Sequence, residues 1–189
     1  MSGDTALVVV LALLGGAAVA GVTAWSDAVR RAGSLAVPLG TAVAVAAAGL
    51  VVATVPAAAT DDPGPQALAV LLAAVAAVAG GGPLTTAVFS VVDAAEPAPA
   101  AGSGRTGLDA AASVLRGGAW IGVLERVAVF ASLVAGLPEG IALALALKGL
   151  GRYAELKAND SGAAERFIIG TFVSVLWAAG CAAVVLAVR

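Results

Sequence analysis

Three ionisable residues lie within segments that are otherwise apolar: Glu125 and Arg126 in one segment and Lys148 in the next. A charge in the hydrocarbon region of a membrane is costly, so an ionisable side chain there is a candidate for function and needs a partner. At 1.5 Å per residue, Glu125 and Lys148 lie at about the same depth, roughly 12 to 13 Å from one membrane surface. The spacing therefore predicts an ion pair between them, with Arg152 one turn beyond Lys148 on the same helix face.

Hydroxyl-bearing residues at a similar depth extend this pair to a polar cluster in the cytosolic half of the protein. They are Thr85, Thr86, Thr171 and Ser174. In a functional interpretation, the cluster binds a ligand, and Arg126 and Arg152 face anionic groups. In a structural interpretation, the ion pair ties two helices together, both arginines extend to lipid headgroups, and the hydroxyls bond to their own helix backbone.

The third apolar segment contains three consecutive glycines and a proline, Gly80, Gly81, Gly82 and Pro83. Such a sequence predicts a helix break whose freed backbone groups line a cavity. The alternative is a kink or a close-packing notch in a continuous helix, since glycine and proline are frequent in transmembrane helices.

These residues must be positioned by membrane-spanning helices, because 61% of the 189 residues are hydrophobic and only 12% are charged. The apolar blocks are close to the length of about 20 residues that crosses a bilayer. The predicted fold is an all-α, polytopic transmembrane helical bundle of about six helices. Its spans are expected at 5–24, 38–59, 66–92, 117–137, 138–156 and 164–187. A single helix over 120–150 would measure about 45 Å, which is too long for one crossing.

Basic residues fall in alternate connections between these spans, which predicts that both termini lie outside. The two remaining connections, around Asp61 and around Glu139, contain no Lys or Arg. The basic residues could also form a rim that holds anionic lipid headgroups; the positions are Arg30, Arg31, Arg116, Lys157 and Arg166, beside Arg152. Alternatively, these basic residues only set the orientation of the helices in the membrane and bind no ligand.

A flexible cytosolic linker is predicted at 93–115. It divides the protein into two halves of three spans each, 1–92 and 116–189, which are inverted relative to each other. No Lys or Arg precedes the first apolar segment, so we expect that segment to be retained rather than cleaved as a signal peptide. The Ala- and Val-rich composition is typical of a bacterial product, and we expect the bacterial cytoplasmic membrane.

The sequence lacks the residues that several classes of function require. Histidine is absent and Cys181 is the one cysteine, so the sequence predicts no metal site, no cofactor and no disulfide. No P-loop and no paired-acid motif typical of membrane enzymes is present, which argues against an enzyme. With a net charge of -2, the chain has no basic field for nucleic acid.

Three phrases of the second half resemble an uncharacterised bacterial membrane family, DUF3307. They are RGGAWIGVLERVAVF, LPEGIALALALKGLGRYAELK and AERFIIGTFVSVLWA. The family pattern falls on Glu125, Arg126, Lys148, Arg152, Glu165, Gly170 and Thr171. The resemblance covers about a third of the chain and does not extend to the N-terminal half, where members of the family carry a histidine. It implies that the charged residues of the fourth and fifth spans matter, and it implies no activity.

Three functions remain open from the sequence. The first is a small transporter-like or partner-binding protein with its polar cluster in the cytosolic half. The second is a lipid-phosphate binding or lipid-modifying protein, and the third is a structural subunit whose Gly and Ala faces pack against another membrane protein. The expected partners are the lipid bilayer, anionic lipids or another membrane protein, and a homo-oligomer is compatible with each.

Overall fold

A computed structural model describes residues 2–26, 35–95, 118–153 and 161–189. These residues form six α-helices and one 3₁₀ turn at Pro56–Ala58, and no strand occurs among them. The helices are α1 (Gly3–Thr23), α2 (Ala36–Thr54), α3 (Pro63–Ala95), α4 (Gly118–Val134), α5 (Glu139–Gly151) and α6 (Ser161–Val188). The predicted all-α helical bundle is confirmed.

Four of the helices are long and apolar enough to cross a membrane: α1, α2, α3 and α6. The protein is therefore an integral membrane protein. With 17 and 13 residues, α4 and α5 extend about 26 and 20 Å, less than the roughly 30 Å of a hydrocarbon core. The crossing of the membrane by the fourth and fifth segments, and the outside location of both termini, stay predictions.

The core of the bundle is built from small side chains where α1, α2, α3 and α6 meet. Ala73, Ala76 and Ala77 of α3 are fully buried, and Val10 and Leu14 of α1 are among the largest fully buried residues. Small residues let helix backbones approach one another, which is the main source of packing energy where water provides no hydrophobic drive. At the α1–α3 crossing, a Cβ added to Gly21 would lie only 2.9 Å from the backbone nitrogen of Gly80.

Hydrogen bonds at one end of the bundle show that several helix termini lie at the same level. The backbone N–H of Thr60, between α2 and α3, donates to the carbonyl of Val188 at 3.0 Å. The Arg189 side chain donates to the carbonyl of Val134, the last residue of α4, also at 3.0 Å. The end of α4 therefore lies beside the end of α6, as the predicted alternating topology requires.

A tight turn joins α4 to α5 into a helical hairpin. Gly136 has a φ of 71°, a left-handed conformation that glycine adopts at little cost, and the N–H of Leu137 donates to the carbonyl of Ser132. The predicted division of residues 120–150 into two helices is confirmed. No residue of α5 is buried, and α5 packs mainly against α4. The hairpin therefore carries α5 at the periphery of the bundle.

Candidate functional site

Glu125 of α4 and Lys148 of α5 form an ion pair, as the depth count predicted. The Lys148 ammonium donates to Oε2 of Glu125. The Glu125 side chain is 3% exposed and the Lys148 side chain 15%. The second carboxylate oxygen, Oε1, is buried and has no hydrogen-bond partner among the residues that the structure describes. The pair therefore gives the Lys148 ammonium one acceptor and leaves Oε1 of Glu125 without a donor.

An aromatic ring from α6 completes the surroundings of the ammonium. Lys148 Nζ lies 5.3 Å from the centroid of the Phe167 ring, within the range of a cation–π interaction. The ammonium thus has a carboxylate from α4 and a ring face from α6 as neighbours. Sequence reasoning did not identify Phe167, although it lies four residues before Thr171.

Arg126 is buried between α3, α4 and α6 rather than directed to the membrane surface. Only 3% of the residue is exposed. Its Nε donates to the backbone carbonyl of Val78 at 3.1 Å, and its Nη1 contacts the Ser174 hydroxyl at 3.4 Å. The interpretation in which Arg126 extends to lipid headgroups is wrong, because its side chain turns into the bundle. That Arg126 faces an anionic ligand stays a prediction.

Glycines of α3 make the space that Arg126 and two tryptophans occupy. A Cβ on Gly81 would lie 2.3 Å from Cδ of Arg126, and one on Gly80 would lie 2.8 Å from the Trp177 ring. A Cβ on Gly82 would lie 2.9 Å from the ring of Trp25. Each of the three glycines therefore provides space for at least one large side chain, and Gly81 lies against both Arg126 and Trp177.

The helix break predicted for Gly80, Gly81, Gly82 and Pro83 is wrong, because α3 is helical through the whole segment. Proline lacks an N–H, so Pro83 leaves the carbonyl of Ala79 without its helical donor. The indole N–H of Trp25 donates to that carbonyl at 2.8 Å. The freed backbone group is satisfied by a side chain instead of lining a cavity, which confirms the alternative of a close-packing notch.

Trp177 makes a similar contact one turn earlier on α3. Its indole N–H lies 3.1 Å from the carbonyls of both Ala76 and Ala77. Neither Trp25 nor Trp177 was identified from the sequence. A signal was present, because a buried indole N–H needs an acceptor and a proline within a transmembrane helix frees one.

Most of the predicted hydroxyls do not join the cluster. Thr85 donates to the carbonyl of Gly81, Thr86 to that of Gly82 and Thr171 to that of Phe167. These are bonds within one helix, as the structural interpretation predicts. Ser174, which is 4% exposed, is brought to Arg126.

The predicted basic rim is described only in part. Arg166 pairs with Asp93 at 2.5 Å and lies 5.7 Å from the ring centroid of Phe89. Arg152 lies directly after α5 and is half-buried. The remaining members lie outside the described residues; they are Arg30, Arg31, Arg116 and Lys157.

A lateral groove of about 490 Å³ lies between α2 and α6, away from the ion pair. Its lining is apolar and mostly small, with Ala42, Ala46 and Gly49 on α2 and Gly180 and Ala183 on α6. Hydrogen-bonding side-chain groups are nearly absent from this lining, which suits an apolar neighbour and not a polar ligand.

The fold and these side chains define a polytopic helical membrane protein with a charged cluster inside its bundle. No family model, curated protein or solved structure matches the chain. Among the described residues, no group of three or more His, Cys, Asp or Glu side chains is close enough to hold a metal ion. The chemistry open to the cluster is ionic and hydrogen-bonded binding by Glu125, Lys148 and Arg126.

Proposed function

We propose that this protein is a small transporter-like membrane protein that binds a polar ligand at a cluster of Glu125, Lys148, Arg126 and Ser174. The observation that supports the proposal is the unpartnered Oε1 of Glu125. A buried acceptor without a donor costs about 1–3 kcal/mol, and more when the group is charged. A ligand that donates to Oε1 would remove this cost.

The composition of the cluster supports binding over simple helix tethering. Replacing a buried ion pair by apolar residues of similar volume is often neutral or stabilising, so a charge pair is not the most stable way to join two helices. Here the bundle holds two cations and one carboxylate: Lys148 pairs with Glu125, and Arg126, the next residue of α4, bonds to Ser174. Ionisable groups at such depth mark ligand pathways in membrane proteins.

The proposal requires that polar reagents from water reach the cluster at some stage. Ser174→Cys in a Cys181→Ser background places a thiol beside Arg126 with little change in volume. The native Cys181 is a matched control, because it lies two turns further along α6 and is fully buried. We expect Ser174→Cys in membrane vesicles to react with a small cationic methanethiosulfonate, and the unaltered protein, with Cys181 alone, to stay unlabelled.

The labelling result separates the functions that the sequence left open. Reaction at position 174 supports a ligand site that opens to water. Absence of reaction at both positions contradicts the proposal and favours a structural subunit, for which the small-residue lining of the α2–α6 groove would be the contact surface. A lipid-phosphate binding protein would instead lose anionic lipid when Arg152 and Arg166 are both replaced by Gln, with position 174 unlabelled.

A bacterial cytoplasmic membrane and membership of the DUF3307 family are part of the proposal. The support is the resemblance of the second half, which rests on Glu125, Arg126 and Lys148 among other residues. Expression of a fluorescent fusion in a bacterium, followed by separation of inner and outer membranes, tests the location.

A further inference from the structure

We propose that Glu125 and Phe167 form a binding site for a small organic ammonium solute, which Lys148 occupies while the solute is absent. This inference rests on the proposed function and adds the chemical class of the ligand. The Lys148 ammonium is the observed occupant: it donates to Oε2 of Glu125 and lies 5.3 Å from the Phe167 ring centroid. A carboxylate and an aromatic face are the two groups that recognise alkylammonium ions.

The open acceptor shows what a free solute gains over the tethered lysine. Lys148 satisfies Oε2, while Oε1 is buried and has no donor within the described ranges. A primary ammonium has three N–H donors. A solute that is not held by a helix backbone can turn so that both carboxylate oxygens accept from it, and this added bond offsets the loss of the pair with Lys148.

Exchange of one ammonium for another keeps the charge of the cluster constant. If a cation bound while the Glu125–Lys148 pair stayed intact, it would add a third positive charge to those of Lys148 and Arg126. The low dielectric of the bundle disfavours this. Lys148 can leave, since its side chain is already 15% exposed and its four-carbon stem can carry the charge toward the end of α5 at Gly151. The hydrocarbon interior then holds the same charges before and after exchange.

The ligands at the site favour an organic cation over a metal ion. Calcium and magnesium ions are held by about six or more oxygen ligands. Here the carboxylate is accompanied by an aromatic ring, and the nearby Thr171 hydroxyl donates to the carbonyl of its own helix. An ammonium with a short alkyl chain gains from both neighbours, because its charge meets the carboxylate and its methylene groups meet the ring and the apolar surface of α5.

The test measures binding of n-propylammonium chloride to the full chain in lipid nanodiscs by ligand-observed NMR. Lys148→Met removes the tethered ammonium and keeps the length of the side chain. If Lys148 holds the site in most molecules, its removal should tighten the dissociation constant by about tenfold or more. Glu125→Gln should abolish binding in both backgrounds, and Phe167→Leu in the Lys148→Met background should weaken it about three- to tenfold.

Matched controls separate the site from general effects of charge. Glu139→Gln replaces an exposed glutamate at the start of α5 and should leave propylammonium binding unchanged. Propanol and sodium chloride at the same concentrations should not bind detectably. Binding that survives Glu125→Gln, or equal responses to propylammonium and sodium, would overturn the proposal.

Two further outcomes are informative. Binding only in Lys148→Met, with no Glu125-dependent binding to the unaltered protein, would mean that the amine fills an artificial hole, and the inference would be wrong. If Lys148→Met is too unstable to purify, the yield of monodisperse protein extracted with and without propylammonium replaces the NMR measurement. A yield that does not rise with propylammonium overturns the inference. If propylammonium does not bind but Ser174→Cys is labelled, only the ammonium class of ligand is rejected. If position 174 stays unlabelled, the ligand site itself is rejected.

Discussion

Loss of the partner should cost Glu125 more free energy than it costs Lys148. Glu125 has a short side chain that is 3% exposed, whereas the longer Lys148 side chain is 15% exposed. A lysine without its partner can extend its charge toward the end of α5, but the shorter side chain of a glutamate without its partner cannot. The two halves of one ion pair should therefore contribute unequally to stability.

We expect Lys148→Met to lower the free energy of unfolding by about 3 kcal/mol, the scale of an uncompensated buried charge. Glu125→Gln should cost about 1 kcal/mol, and the double variant should be more stable than Lys148→Met alone. Unfolding in mixed micelles with increasing sodium dodecyl sulfate measures all three, with Glu139→Gln as control. Equal costs for the two single variants would contradict this account.

The pairing of Glu125 with Lys148 could be predicted from the sequence, and the direction of Arg126 could not. Depth follows from a fixed rise per residue, so counting from the polar flanks places both members of the pair. The direction of Arg126 depends on the notch that Gly81 leaves on another helix and on the Val78 carbonyl. Those groups are 45 and 48 residues away in the chain, and no local pattern connects them to Arg126.

The helix α3 is the element on which most of the unusual contacts converge. Its carbonyls from Ala76 to Ala79 accept from Trp177, Arg126 and Trp25. Its glycines provide the space that these side chains need. The segment for which the sequence predicts a break therefore packs closely against Arg126, Trp177 and Trp25.

The bond from Trp25 to Ala79 should matter only because Pro83 is present. Trp25→Phe keeps an aromatic ring and removes the donor, and we expect it to cost about 1 kcal/mol. In a Pro83→Ala background the helix supplies its own donor to Ala79, so the same substitution should cost less. A double-mutant cycle of unfolding free energies measures the difference, and strict additivity would show that Trp25 stabilises through packing alone.

Glycines of the bundle should differ sharply in their tolerance of a methyl group. Gly81→Ala places Cβ 2.3 Å from Cδ of Arg126, so that Arg126 must move and lose its bond to Val78. We expect a cost of about 2–3 kcal/mol, the scale of overpacking. Gly16→Ala on α1 is the control: no atom lies within 4 Å of its added Cβ, and alanine favours helix. Equal effects of the two substitutions on unfolding would argue against the notch.

At the scale of the whole molecule, α4 and α5 form a short hairpin beside the four long helices. The bond from Arg189 to the Val134 carbonyl places the end of α4 level with the end of α6. The peripheral α5 returns from there with no buried residue of its own. This arrangement is compatible with six crossings, although α5 is shorter than the hydrocarbon core.

Single cysteines in a Cys181→Ser background test the six-span topology. Positions 62 and 139 should react with an impermeant reagent from outside, because they lie in the two connections without basic residues. Positions 105 and 160, which lie outside the described residues, should react only from inside. Labelling of position 139 from inside would show that the hairpin does not cross, and a reversal at position 62 would invert the whole bundle.

The sequence by itself determined the class of protein, the number of helices and the pairing of Glu125 with Lys148. These properties follow from local quantities: apolar length against bilayer thickness, rise per residue, and the cost of charge in hydrocarbon. Only the tertiary structure decided that Arg126 turns inward, that Phe167 faces Lys148 and that Gly80–Pro83 stays helical. Each of these outcomes depends on which faces of separate helices meet, and small-residue helices rich in Ala and Val carry little periodic signal to specify those faces from the sequence.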